Sequence, residues 1–267
     1  MNCLEGMCMA FQLSVCVEML FADRGSDFGR RIRAAHAAGF SAVEFWAWRT
    51  KDIASVEAVL AETGVDLVML MSEPRGQLAD PSARQAVLEG VEESALMAQR
   101  LRCPQLVLVG GERVDGQSPD GHVESAADVL SQAAEIAGRY GRTLVLEPVN
   151  ASEAPEGWLT DTPTAARIIE AVGSPHLRML YDVFHSGAMD ESPVEMIRTH
   201  GHLFGHVHVA DLPDRTSPGT GTIGWGPVLA ALAEVDYRGR VGLEYLPTAE
   251  TVVSVRRLFE SVAQEIS

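Results

Sequence analysis

The chain of 267 residues carries 21 Lys and Arg against 37 Asp and Glu, a formal charge of −16, with 46% hydrophobic and 22% charged residues. That composition excludes a disordered chain, and the length suffices to bury about three-quarters of the unfolded surface, as one large α/β domain does. The negative charge argues against sequence-independent binding to nucleic acid or to an anionic membrane surface, both of which draw on clustered Lys and Arg.

The opening stretch MNCLEGMCMAFQLSVCVEML is apolar, but it has no basic n-region and is interrupted by Glu5 and Glu18. It is therefore not read as a cleaved signal; residues 1–10 are compatible with a disordered leader. Nowhere does an apolar run approach the roughly 18 residues of a membrane span. Cys3, Cys8, Cys16 and Cys103 form no CxxC pair, which fits a reducing cytoplasm. Short β-branched runs then alternate with amphipathic Ala/Leu/Glu-rich stretches. Strands are predicted at Leu13–Leu20, Ala42–Trp48, Val65–Ser72, Gln105–Gly111, Thr143–Asn150, Leu177–His185, Phe204–Asp211 and Arg240–Pro247. Helices are predicted at Asp27–Ala38, Asp52–Glu62, Pro81–Arg100, Val123–Tyr140, Thr162–Val172, Pro193–Gly201, Gly226–Val235 and Thr251–Ile266. Eight units over 267 residues, about 33 each, is the repeat of a single α/β domain folded as a (β/α)8 TIM barrel spanning 1–267. A doubly wound open sheet is the competing reading, but the first strand ends in MLFADRG, without a GxGxxG turn.

In a barrel the reactive face lies at the C-terminal ends of the strands. There Glu147 (LEPVN), Asp182 (YDVFH), His208 (HVHVAD) and Glu244 (GLEY) each stand where an apolar run stops, on four consecutive strands. Three carboxylates and an imidazole cannot share a low-dielectric site without a balancing positive charge. A single divalent metal supplies it. An oxygen-rich set with no nearby thiolate favours Mn²⁺ or Mg²⁺, with Co²⁺ or Zn²⁺ also compatible. Taken singly, each of these side chains also reads as a structural partner, and His206, two residues before His208, reads as a supporting donor deeper in the strand. Asp211 reads as a turn cap. His185 and Arg215 are candidates for holding substrate oxygens, against the alternatives of a loop histidine and a solvated arginine. Pro218–Gly221 is a weak candidate phosphate cradle, and Trp46, Trp48 and Trp158 are either pocket walls or core packing.

Together with VEFWAW and WLTDTPTAARIIEAVG, these motifs and the PGTG-x-I-x-W turn resemble the xylose-isomerase-like barrel superfamily, and within it the hydroxypyruvate isomerase family. The resemblance implies one divalent metal on Glu147, Asp182, His208 and Glu244, with Glu147 and Glu244 as the acid/base pair and His185 and Arg215 on the substrate. It implies isomerisation of a small hydroxy-keto acid or ketose through an enediolate, hydroxypyruvate to tartronate semialdehyde in particular, and a homo-oligomer. His208 stands where bacterial hydroxypyruvate isomerases carry Gln, as in ketose 3-epimerases, so 3-epimerisation is the first alternative. A keto-inositol dehydratase and a non-catalytic sugar-binding barrel are the others. An abasic-site endonuclease of the same superfamily would need histidines ending the third and fourth strands, where VMLMSE and VLVGGE have none.

Overall fold

Eight short strands with apolar residues on both faces must be covered on both, and a closed barrel inside a ring of helices does this. The computed structural model describes residues 11–255. The elements run β1 (Gln12–Cys16), α1 (Phe28–Ala37), β2 (Ala42–Glu44), α2 (Ile53–Thr63), β3 (Asp66–Met71), α3 (Arg84–Arg100), β4 (Gln105–Val109), α4 (Pro119–Arg139), β5 (Thr143–Glu147), α5 (Thr162–Val172), β6 (Leu177–Asp182), α6 (Val183–Ala188), α7 (Pro193–His200), β7 (Phe204–Val209), α8 (Trp225–Glu234) and β8 (Arg240–Leu243). Neighbouring strands pair in parallel in sequence order, and β8 closes on β1 from Gln12 opposite Arg240 to Val15 opposite Leu243. This is a (β/α)8 TIM barrel.

The strands are shorter than their apolar runs. Each ends at the barrel rim, and beyond it, except after β6, the residues pack as loop. The expected sixth strand is cut at Asp182, because that side chain accepts a hydrogen bond from Phe184 N (2.8 Å) and caps α6, so His185 lies on a helix. The fourth helix begins earlier than expected: Ser118 accepts from Gly121 N (3.1 Å) and Pro119 starts the first turn. The expected third helix opens as a 3-10 turn over Pro81–Ala83. Of the expected last helix, 251–255 is helical and the remainder lies outside the described residues, as does the expected leader at 1–10. Among the described residues no helix is long and apolar enough to cross a membrane.

Side chains alternate between the two faces of each strand. Outward-facing Leu106, Leu108, Leu144, Leu146, Met179 and Tyr181 join the apolar faces of the helices in the main core. Met69, Val107, Val145 and Leu180, on the other face, form a separate apolar plug. Two residues beyond Val145 and Leu180, on that same inner face, stand Glu147 and Asp182. The remaining part of the interior is polar: Ser14, Glu44, His206 and His208 are all buried there. Gly242 makes room for them, since a Cβ on it would come within 2.6 Å of Glu44 Oε1 and 2.7 Å of the His208 ring.

Candidate active site

Glu147 and Asp182 end their strands, His208 is the penultimate residue of β7, and Glu244 follows β8 directly. All four sit at the C-terminal rim, buried, with one potential ligand atom from each lying within 4.8 Å of the others. The sequence-expected quartet is therefore brought together in space.

Glu44, at the end of β2, governs how His208 is presented. The Glu44 carboxylate accepts from His208 Nε2 (2.7 Å), His206 Nε2 (3.0 Å) and the Ser14 hydroxyl. Burial alone would raise Glu44, but the two imidazoles outweigh it and hold the carboxyl well below its usual range. With Nε2 committed, His208 Nδ1 faces Glu244 Oε2 (3.2 Å) and Glu147 Oε1 (3.9 Å), and it makes no hydrogen bond among the described residues. Burial opposes charge on His208, yet Glu244 and Glu44 push its pKa well above the ordinary value. Glu44, His206 and His208 are themselves close enough to ligate an ion. Protein donors already occupy both Glu44 oxygens, however, so this trio supports the site.

The carboxylates differ in state. Burial, reinforced by Glu244 and Asp182, pushes Glu147 up to about 8. Glu244 is equally buried, but His208, Arg215 and the Trp46 indole N–H (2.7 Å) hold it below the usual carboxylate range. Arg215 donates from Nη1 to Glu153 (2.7 Å) and from Nη2 to Asp182 (3.2 Å) and Glu244. Its backbone is left-handed (φ 55°), a conformation that costs a non-glycine residue about 1–3 kcal/mol. The loop holds it there: Leu246 N donates to Arg215 O (2.7 Å), and Asp211 accepts from Leu212 N, Gly219 N, Ile223 N and the Trp225 indole at 2.8–3.0 Å. Asp211 thus ties the whole loop, beyond capping a turn. The Gly219 and Thr220 amides bond within that loop, so Pro218–Gly221 offers no phosphate cradle.

His185 is set by Asn150. The Asn150 Oδ1 accepts from Ser152 N and Oγ and from Glu153 N, which orients the amide so that Nδ2 donates to His185 Nδ1 (2.7 Å). The His185 Nε2–H is then turned toward Asp182 Oδ2 (3.6 Å) and Glu147 Oε1 (3.9 Å). Burial holds His185 below its ordinary pKa, so it is a neutral donor at pH 7. Of the three tryptophans weighed as pocket walls, Trp46 lines the cavity of about 160 Å³ over the site. Trp48 bonds Ser94 (3.0 Å) and Trp158 bonds Gly110 O (2.9 Å), away from it. A larger hollow of about 450 Å³ lies at the opposite end of the strands, beside Gly64, Asp66 and Arg102.

A divalent cation fits the quartet on chemical grounds: a hard oxygen donor set plus one imidazole, buried, with a nitrogen lacking a hydrogen-bond partner and held in orientation by a carboxylate behind it. Sequence reasoning missed Glu44, Asn150 and Glu153, and the Trp46 bond. The sequence signal for Glu44 is the same as for the quartet, a carboxylate ending an apolar run (AVEF), but it stands on strand two, apart from the consecutive strands five to eight.

The sequence profile of the family described as xylose isomerase-like TIM barrel matches residues 32–261. A Mus musculus protein named "Putative hydroxypyruvate isomerase" is 33% identical over 236 residues, covering 83% of this chain and 85% of the relative. The hydroxypyruvate isomerase of Escherichia coli (strain K12) is 27% identical over 252 residues, 92% and 97% of the two chains. The crystal structure of an AP endonuclease, family 2, from Brucella melitensis superposes with a TM-score of 0.86 at 25% identity, covering 92% and 96%. With the barrel, the rim site and these relatives together, the chain belongs to the xylose isomerase-like TIM barrel family and is an isomerase.

Proposed function

We propose that the protein isomerises a small hydroxy-keto acid, hydroxypyruvate foremost, to tartronate semialdehyde through an enediolate, with one divalent metal, Mn²⁺ or Mg²⁺, as cofactor. The observation that carries this reading is the convergence of Glu147, Asp182, His208 and Glu244 at the rim. Held by those four side chains, the metal would supply Lewis acidity that stabilises negative charge developing on the substrate oxygens.

The rest is work for the chain's own groups. A proton must leave the hydroxymethyl carbon of hydroxypyruvate and one must arrive at the keto carbon, while a hydroxyl proton moves between the two oxygens. Glu147 and Glu244 are the two carboxylates over the cavity able to exchange these protons, and their unequal environments suit an acid and a base. His185, neutral with its Nε2–H free of a close partner, is a donor to a substrate oxygen. Arg215 balances Asp182, Glu244 and Glu153 and so keeps the carboxylates from repelling a substrate oxyanion. Trp46 closes one side of the cavity and limits water.

The test is turnover in D₂O followed by NMR. Hydroxypyruvate should give tartronate semialdehyde with solvent deuterium at the carbon that gains the proton. Chelation should abolish the exchange and Mn²⁺ or Mg²⁺ restore it. Exchange undiminished in verified metal-free protein would remove the metal; no exchange in any small keto acid or ketose would remove the isomerase reading. Ketose 3-epimerisation, favoured by His208, predicts instead deuterium at C3 of a ketose with inversion there.

A further inference from the structure

We propose that Arg75 is the anchor for the substrate's carboxylate, which makes the site selective for hydroxy-keto acids over uncharged ketoses; this rests on the isomerase reading above. Among the described residues, two guanidinium groups border the site cavity, Arg75 and Arg215. Arg215 already faces three carboxylates, Glu153, Asp182 and Glu244. Arg75 is exposed, and no carboxylate or carbonyl among the described residues pairs with it. An anionic substrate entering a cavity walled by Glu147, Glu153 and Glu244 is drawn to a cation at its edge that no protein group among the described residues has claimed.

Position supports the assignment. Arg75 also lines a second hollow of about 360 Å³, and the two share Arg75, Val149 and Glu153, so Arg75 stands at the seam between them. The site cavity alone, about 160 Å³, has the room of roughly five water molecules at liquid density. A hydroxy-keto acid with its reacting oxygens toward Glu147 and Glu244 brings its carboxylate to that seam. Arginine, with a planar fork of donors, grips a carboxylate through two parallel hydrogen bonds as lysine cannot.

The segment bearing Arg75 is braced on both sides. Before it, the Glu73 carboxylate accepts from Trp48 N (2.6 Å) and Arg49 N (2.8 Å), and Glu73 N donates to Ser94 Oγ (3.0 Å). After it, Leu78 N donates to Gly110 O (3.0 Å), and Gly76 packs so close to Gly111 that a Cβ on Gly76 would lie 2.9 Å from the Gly111 Cα. The backbone at the root of the side chain is thus fixed at the edge of the cavity.

The experiment compares Arg75→Gln, Arg75→Lys and a charge-matched control, Arg102→Gln at the opposite end of the barrel, on hydroxypyruvate and on uncharged dihydroxyacetone. In Arg75→Gln the KM for hydroxypyruvate should rise about 10–100-fold with kcat within about threefold, the loss expected for one charge-assisted bidentate contact. Selectivity for the acid over the ketose should fall by a like factor; Arg75→Lys should be intermediate and Arg102→Gln unchanged. An unchanged KM for hydroxypyruvate, or a kcat loss shared by acid and ketose, overturns the proposal. Should the wild-type protein turn over neither compound, the isomerase reading fails, and calorimetry with unreactive glycerate decides for Arg75: weaker binding to Arg75→Gln supports the anchor, whereas equal binding, or none to either protein, overturns it.

Discussion

His208 stands between two carboxylates with different consequences. Glu44 behind it fixes the ring through Nε2, while Glu244 in front draws a positive charge to Nδ1. A proton or a divalent cation satisfies that demand equally, so the two compete. Because Glu44 and Glu244 push His208 above its ordinary pKa, its ring holds a proton more tightly than a free imidazole does, and raising the pH removes the competitor. Metal affinity should therefore rise with pH, by up to about tenfold per unit while His208 is protonated. Calorimetry in buffers of different ionisation enthalpy should detect proton release on Mn²⁺ binding. Glu44→Gln loosens the ring's support and should weaken Mn²⁺ binding about 10–100-fold. Glu147→Gln and Glu244→Gln, which keep shape but lose proton exchange and a charged ligand, should fold with wild-type secondary structure and, with Mn²⁺ in excess, lose about 10²–10⁴-fold in kcat. Near-normal turnover by either would remove that residue from the acid/base pair.

The elements matter through where they stop. The apolar runs of the sequence announce each strand's beginning well, since Ala42, Gln105, Thr143, Leu177, Phe204 and Arg240 start both the expected and the observed strands. Strand ends are less legible, because residues packed over the rim are as apolar as residues within the sheet. Caps mark the helices more sharply. Asp161 accepts from Thr164 N (2.8 Å) with Pro163 in the first turn, and α5 begins where expected. Asp161→Ala should cost about 1 kcal/mol in a denaturant titration, without shifting KM, since α5 carries no side chain of the cavity. At Asp182 cap and candidate ligand are one residue, one oxygen on Phe184 N and the other at 3.2 Å from Arg215. Turning directly from β6 into α6 is what brings His185 back over the site.

At the scale of the molecule, the polar part of the barrel interior is maintained by pairing: Ser14, His206 and His208 all bond to Glu44, which leaves His208 Nδ1, facing the rim, as the imidazole nitrogen without a hydrogen-bond partner among the described residues. The cysteines of the described region lie outside this network. Cys16 and Cys103 are fully buried, and burial drives both thiols up, Cys103 to about 12. At pH 8 a thiol reagent should leave these two unmodified in the folded protein and modify them on unfolding; rapid modification of either in the native state would contradict the packing described. The folded state retains the Cys103 proton where the unfolded chain has lost it, so the stability linked to that thiol is present below about pH 9 and lost as pH rises through about 12.

The sequence by itself determined the barrel and the quartet. Alternation of apolar runs with amphipathic helices leaves few ways to bury both faces of every strand, and polar residues that end such runs on consecutive strands must meet at one rim. Tertiary structure decided everything that depends on which side chains face one another across the barrel. Glu44 and His208 are 164 residues apart, Trp46 and Glu244 198, and no local pattern encodes either contact. The same holds for the protonation of Glu147 and His208, which follows from burial and from neighbours that only closure of β8 onto β1 assembles.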